Sequence, residues 1–304
     1  MHNVCEELIF LRIYFMYRLG YCGWLLTGKP LPEIVQFLSD NGFNSISWLQ
    51  DIVDADEVER KEAAAAIKEL NFALCYHGCV QWQLTPEWTV NLDFFNRMAN
   101  DVMWWHKNTN GVISCCSDSI NRKIRETDKG NTYLEDTTKQ LLKLENEFFK
   151  ETGIGYGIEN GFCIKPGARV YASIDSMKEY MSILDDPKGI GTILDVGHAN
   201  IYLKRGNEGK LSLIDYIRQI PFKIYEIHIT DNMGDCDAHT APGTGNIDFV
   251  ELREGLKEVG FDGAISMEVC KDAAHFDNCF DISNIDQRDQ VLRIRDSFID
   301  AFYK

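Results

Sequence analysis

A chain of 304 residues, 45% of them apolar, can bury a large core and is too long for a small binding module. Its net charge of −16 excludes sequence-independent attraction to phosphate backbones as a main driving force for binding. Ten cysteines without a CxxC pair or a secreted-scaffold spacing point to reduced thiols and a cytoplasmic protein.

The apolar stretch "LIFLRIYFMY" (8–17) is broken by Arg12 and preceded by Glu6 and Glu7. It lacks the positive start and cleavage site of a secretory signal and the roughly 20 apolar residues of a membrane span. Residues 1–15 are therefore read as an N-terminal extension. From there a steady alternation begins. A strand in "YRLGYCGWLL" (17–26) precedes a helix in "PLPEIVQFLSDNG" (30–42), with Pro near its start and Gly after its end. Further strand–helix pairs follow at 43–50 and 56–71, 72–80 and 86–111, 112–119 and 133–153, and 154–161 and 173–186. The last three are 192–198 with 211–220, 223–231 with 248–260, and 264–269 with 288–302. Eight such units predict a parallel sheet closed into a single (β/α)8 barrel over residues 16–304.

In such a barrel all C-terminal strand ends open onto one mouth, where active sites lie. Strand three ends at His77, strand five at Glu159-Asn160, strand seven at His228 and strand eight at Glu268. Strand six ends in "TILDVGHAN" (192–200), which supplies Asp195 and His198. Gly197 and the short apolar run argue for a strand end there rather than a helix. Acidic and imidazole groups crowded at one apolar mouth need a cation or extensive pairing, and few basic residues neighbour these strand ends. A bound divalent metal is the economical solution.

The motifs "ILDVGHAN", "IHITDNMGDCDAHTAPGTGNIDF", "YGIEN" and "GAISMEV" resemble the strand-end signatures of the xylose isomerase-like TIM-barrel superfamily, across roughly residues 17–270. That superfamily holds sugar isomerases, ketose 3-epimerases, hydroxypyruvate isomerases, zinc AP endonucleases and C-glycoside deglycosidase subunits. The resemblance implies a metal site of Glu159, Asp195, His228 and Glu268. Three carboxylates and one imidazole favour Mn²⁺, with Mg²⁺, Co²⁺ or Zn²⁺ as alternatives. It implies further that Glu159 and Glu268 exchange a substrate proton through a metal-stabilised enediolate. His77, His198, Asp237, His239, Lys165 and Trp24 are the expected substrate contacts.

Two departures from the family shape the functional expectation. Strand four carries "SCCSD" (114–118), where the endonucleases need a histidine, so only Cys115 or Cys116 can substitute; the nearby His106 falls in a helical pattern. The stretch after His228 lacks the arginine common in ketose epimerases. The expected activity is a divalent-metal-dependent isomerase or epimerase acting on a sugar or related hydroxy-carbonyl compound. The alternatives are the barrel subunit of a C-glycoside deglycosidase acting on a 3-oxo-glycoside, and a zinc-dependent AP endonuclease-like phosphodiesterase. Expected partners are a small sugar-like substrate and either further copies of the chain or a small partner subunit, without nucleic acid or membrane. "NRKIR" (121–125) reads as a solvated loop and "GTGNID" (243–248) as a turn.

Overall fold

The computed structural model describes residues 17–49, 56–77, 85, 89–118, 131–162, 171–207, 209–272 and 278–304. The extension expected over residues 1–15 lies outside them. Eight parallel strands close into a barrel in chain order. They are β1 (Arg18–Cys22), β2 (Ser45–Leu49), β3 (Ala73–His77), β4 (Val112–Asp118), β5 (Gly155–Glu159), β6 (Ile190–Asp195), β7 (Ile224–Ile229) and β8 (Ala264–Met267). Closure is direct: β8 pairs with β1 from Arg18 opposite Ala264 to Tyr21 opposite Met267.

The outer layer comprises α1 (Leu31–Asp40), α2 (Glu57–Glu69), α3 (Leu92–Asn108), α4 (Asn131–Thr152), α5 (Ile174–Met181), α6 (Val196–Ile201), α7 (Leu213–Gln219), α8 (Phe249–Glu258) and α9 (Ile285–Tyr303). α1 shows why these segments fold as they do: it buries Leu31, Ile34, Val35 and Leu38, one face of a helix, against the sheet. Side-chain caps set the starts of several of the other helices. Asp56, Asn91, Ser212, Asp248 and Asn284 each accept a first-turn backbone N–H, and Ser173 forms a reciprocal capping box with Ser176. The Asn91 cap starts α3 at Leu92, later than the helical pattern from 86 suggests. A two-residue parallel pairing of Leu26–Thr27 with Phe280–Asp281 ties the segment after β1 to the start of α9. Among the described residues no helix is long and apolar enough to cross a membrane. None of the seven cysteines among the described residues is in a disulfide.

One buried carboxyl in the outer layer has a measurable consequence. Glu145 of α4 is 0% exposed, and both its carboxyl oxygens lack a hydrogen-bond partner among the described residues. Burial pushes its pKa up to about 8, with Ser117 acting in the opposite sense. A carboxyl whose folded pKa is raised gives up stability as pH rises from the ordinary carboxylate range to the folded value. Glu145→Gln is therefore expected to flatten the loss of stability between pH 5 and pH 9 by roughly 2–4 kcal/mol. Denaturant unfolding of both proteins at the two pH values checks this, and parallel losses would refute it.

Candidate active site

The mouth is assembled from strand ends that the register places side by side. Asp195 of β6 stands opposite His228 of β7, and His77 of β3 opposite Cys116 of β4. Asn160 ties the ends of β5 and β6 together: its Oδ1 accepts the Asp195 N–H at 2.7 Å, and its Nδ2 donates to the Asp195 carbonyl at 3.0 Å. The Asn160 carbonyl in turn accepts the His198 Nδ1–H at 2.7 Å.

His198 does not lie on a bare strand end. Asp195 caps a six-residue helix, α6, and its Oδ1 accepts the His198 backbone N–H at 2.7 Å. The cap aims one carboxylate oxygen at the helix and leaves the other, Oδ2, for the mouth. Gly197 does not break this helix; a Cβ there would run into Thr230 Cγ2 and Asn232 Nδ2 on the loop that follows β7. The glycine is required by close approach.

That loop is organised by Asp231. Its carboxylate accepts four backbone N–H groups: from Asn232 and Ile247 on Oδ1, and from Gly243 and Gly245 on Oδ2. A two-hydrogen-bond bridge between Asp231 and Thr240 closes the base. The loop holds Asp237 and His239 over the mouth. His239 has φ +47°, uncommon for a non-glycine residue, and its Nδ1–H donates to the Glu268 carbonyl at 2.9 Å.

Three groups result, two of which share Glu159 and His228. One donor atom each from Glu159, Asp195, His228 and Glu268 all lie within 4.8 Å of one another. His77, Glu159 and His228 meet the same condition, as do His198, Asp237 and His239. At the centre, His228 Nδ1 is 3.5 Å from Glu159 Oε1 and 3.3 Å from Glu268 Oε2. His77 stacks on His228 with ring centroids 5.5 Å apart and lies 3.8 Å from Glu159. On the outer side, Asp237 bridges His198 and His239, at 3.1 Å from each.

Charge balance in this space is severe. Burial raises Asp195 to about 7, with the charges of Glu268, Asp237 and Glu159 adding to the effect and His198 opposing it. Burial likewise raises Glu159 and Glu268, but neighbouring imidazoles outweigh it and hold both below the ordinary range. Burial lowers His228 and His198, yet the surrounding carboxylates hold both well above the ordinary imidazole value, and His239 is held up at about 9. Protons on imidazoles thus balance the carboxylates. A divalent cation does the same with neutral imidazoles. The fit to such a cation is specific: Asp195 Oδ2, Glu268 Oε2 and His228 Nδ1 are buried, convergent and without a hydrogen-bond partner among the described residues.

The other expected contacts divide. Trp24 packs on His77 with ring centroids 4.9 Å apart, at the site's edge. Lys165 and the basic run 121–125 lie outside the described residues. His106 accepts the Val112 N–H at 3.1 Å and supports the turn into β4. Cys115 and Cys116 are both buried, and burial holds the Cys115 thiol well above its ordinary pKa. Sequence reasoning missed Glu226, which lies fully buried beneath His228, 3.7 Å from its Nε2. The alternation in "IYEIHI" carries the signal, since positions 226 and 228 point the same way.

Comparisons with known proteins bear on this geometry. The chain is 36% identical over 124 residues to the uncharacterized protein MJ1311 of Methanocaldococcus jannaschii, a match covering 40% of the chain and only 39% of that relative. A solved D-psicose 3-epimerase, in the presence of D-fructose, is similar with a TM-score of 0.70 at 14% identity, covering 94% of this chain and 99% of that one. An AP endonuclease, family 2, from Brucella melitensis has a TM-score of 0.63 at 15% identity over 84% of this chain and 93% of that one. At such identities these likenesses establish the fold alone. The family model described as xylose isomerase-like TIM barrel matches residues 35–291, and the chain belongs to that family.

Proposed function

We propose that the protein is a divalent-metal-dependent isomerase or epimerase of a sugar or related hydroxy-carbonyl compound. The observation that carries this reading is the pair Glu159 and Glu268, two carboxylates flanking His228 Nδ1 at 3.5 and 3.3 Å. Sugar epimerases among the solved structures of the same fold support it. Glu159, Asp195, His228 and Glu268 would hold the ion, with Mn²⁺ the best match to three carboxylates and one imidazole. When bound, such an ion supplies Lewis-acid polarisation of a carbonyl and so acidifies the neighbouring C–H.

The chain's own groups do the rest. One of Glu159 and Glu268 removes the proton from the carbon beside the carbonyl. Delivery of that proton to the neighbouring carbonyl carbon, with the hydroxyl proton passing to the carbonyl oxygen, gives isomerisation; delivery of a different proton by the second carboxylate to the opposite face of the same carbon gives epimerisation. His77, His198, Asp237 and His239 line the mouth as the substrate contacts, with Asp237 bridging the two outer imidazoles.

A second reading rests on the group His198, Asp237 and His239, which with His77 offers donors for more than one ion. It points to a multi-zinc phosphodiesterase, although β4 supplies only cysteines where the endonucleases need a histidine. One experiment separates the two. Protein loaded with Mn²⁺ is expected to hold one ion per chain by elemental analysis. In D₂O it is expected to exchange a carbon-bound hydrogen of one member of a panel of ketoses, aldoses, hydroxypyruvate and 3-oxo-glycosides. Three zinc ions per chain, with cleavage of abasic-site DNA and no exchange, would establish the second reading instead.

A further inference from the structure

The interior of the barrel below the mouth is built from small and polar side chains. Its centre is Glu226, 0% exposed. Ser266 of β8, opposite His228 in the register, donates its hydroxyl to Glu226 Oε1 at 2.6 Å. Ser47 of β2 and Cys75 of β3 stand beside the same carboxylate. Barrel interiors are ordinarily filled by branched apolar residues. A fully buried carboxylate in their place is costly unless a partner compensates it. Among the described residues the ion-pair partner of Glu226 is His228, whose Nε2 lies 3.7 Å from Oε1.

His228 is thereby held between two sets of carboxylates with opposite duties. Its Nδ1 faces Glu159 and Glu268 at the mouth, and its Nε2 faces Glu226 below. An imidazole donates a lone pair to a metal from one nitrogen only when the proton resides on the other. We infer that Glu226 is a positioning residue: it draws the His228 proton to Nε2 and fixes the ring, so that Nδ1 is presented to the mouth as a metal donor. Ser266 fixes Glu226 in turn. A carboxylate behind a ligating imidazole raises the basicity of the ligand, and removing such a partner generally costs about 10–100-fold in metal affinity. The inference rests on the proposal that Glu159, Asp195, His228 and Glu268 hold a divalent ion.

Calorimetric titration of metal-free protein with Mn²⁺ tests it. Glu226→Gln, which keeps the shape but removes the charge, is expected to bind Mn²⁺ about 10–100-fold more weakly than the native chain. Its metal-free melting temperature is expected to fall, because His228 loses one partner of a buried pair, so affinities are compared at a temperature where both chains are folded. Ser266→Ala keeps the carboxylate and removes its anchor, with an expected loss of roughly threefold to tenfold. Nitrogen-15 spectra of the Mg²⁺-loaded native protein are expected to show His228 as the Nε2–H tautomer. Native-like Mn²⁺ affinity in Glu226→Gln, or a ring protonated on Nδ1, overturns the role of Glu226 while leaving the metal site standing. If Glu226→Gln fails to fold, unchanged affinity in Ser266→Ala overturns it in the same way. A native chain that takes up no Mn²⁺ overturns both the metal reading and this one.

Discussion

Replacing Glu268 by Gln is expected to slow solvent exchange of the substrate's carbon-bound hydrogen by about 10²–10⁴-fold, the usual worth of a positioned general base or acid. The variant keeps the shape of a residue only 5% exposed, and the Glu268 carbonyl still accepts the His239 Nδ1–H. The loop that carries Asp237 and His239 therefore stays in place, and the loss reports on the carboxylate. Glu268 Oε2 is also one of the three orphaned atoms that point to a metal, so metal content must be measured on the same sample. Three outcomes are informative. Exchange lost with the ion retained assigns proton transfer to Glu268. Exchange and ion lost together assign it a holding role and leave Glu159 as the base, which Glu159→Gln then examines. Exchange within threefold of native, with the ion retained, would remove Glu268 from the chemistry.

The parts of this site that were legible in the sequence follow from strand geometry. Side chains on a strand alternate between faces, and the last inward residue of a barrel strand lies at the mouth. His77, Glu159, Asp195, His228 and Glu268 are those last inward residues, so strand boundaries alone bring them together. Glu226 obeys the same rule one step deeper, but a carboxylate beneath the mouth conflicts with the expectation of an apolar interior. The helix after Asp195 was hidden for a different reason. Gly197 lowers helix propensity, while the Asp195 cap and the close approach to Thr230 that favour a glycine-bearing helix are both tertiary facts. The convergence of His198 with Asp237 and His239 depends on Asp231 gathering four backbone N–H groups, and nothing in local periodicity reports such a hub.

The same electrostatics make opposite predictions for stability with and without metal. In the metal-free protein His198, His228 and His239 carry pKa values raised by the carboxylates around them, His239 to about 9. A histidine whose folded pKa exceeds its unfolded value contributes stability that is complete below about 6.5 and is lost as pH rises through the folded value. Asp195, raised to about 7, adds a loss over the interval just below. The metal-free protein is thus expected to melt at progressively lower temperature from pH 6 to pH 9. Metal binding needs the deprotonated imidazole, so Mn²⁺ affinity rises over the interval in which the protonated ion pairs fail. At 100 to 1,000 times its dissociation constant a ligand stabilises by about 2.7–4.1 kcal/mol, or about 4–6 °C for a chain of this size. The gap between the melting curves with and without Mn²⁺ is therefore expected to be small at pH 6 and to widen to that range by pH 9. Asp195→Asn supplies the control. Its amide oxygen can still accept the His198 N–H and cap α6, while the charge that faces the mouth is gone. The variant is expected to fold and to show no gap at any pH. A gap that stays constant across the range, or one that persists in Asp195→Asn, would mean that Mn²⁺ stabilises the chain at some place other than this cluster.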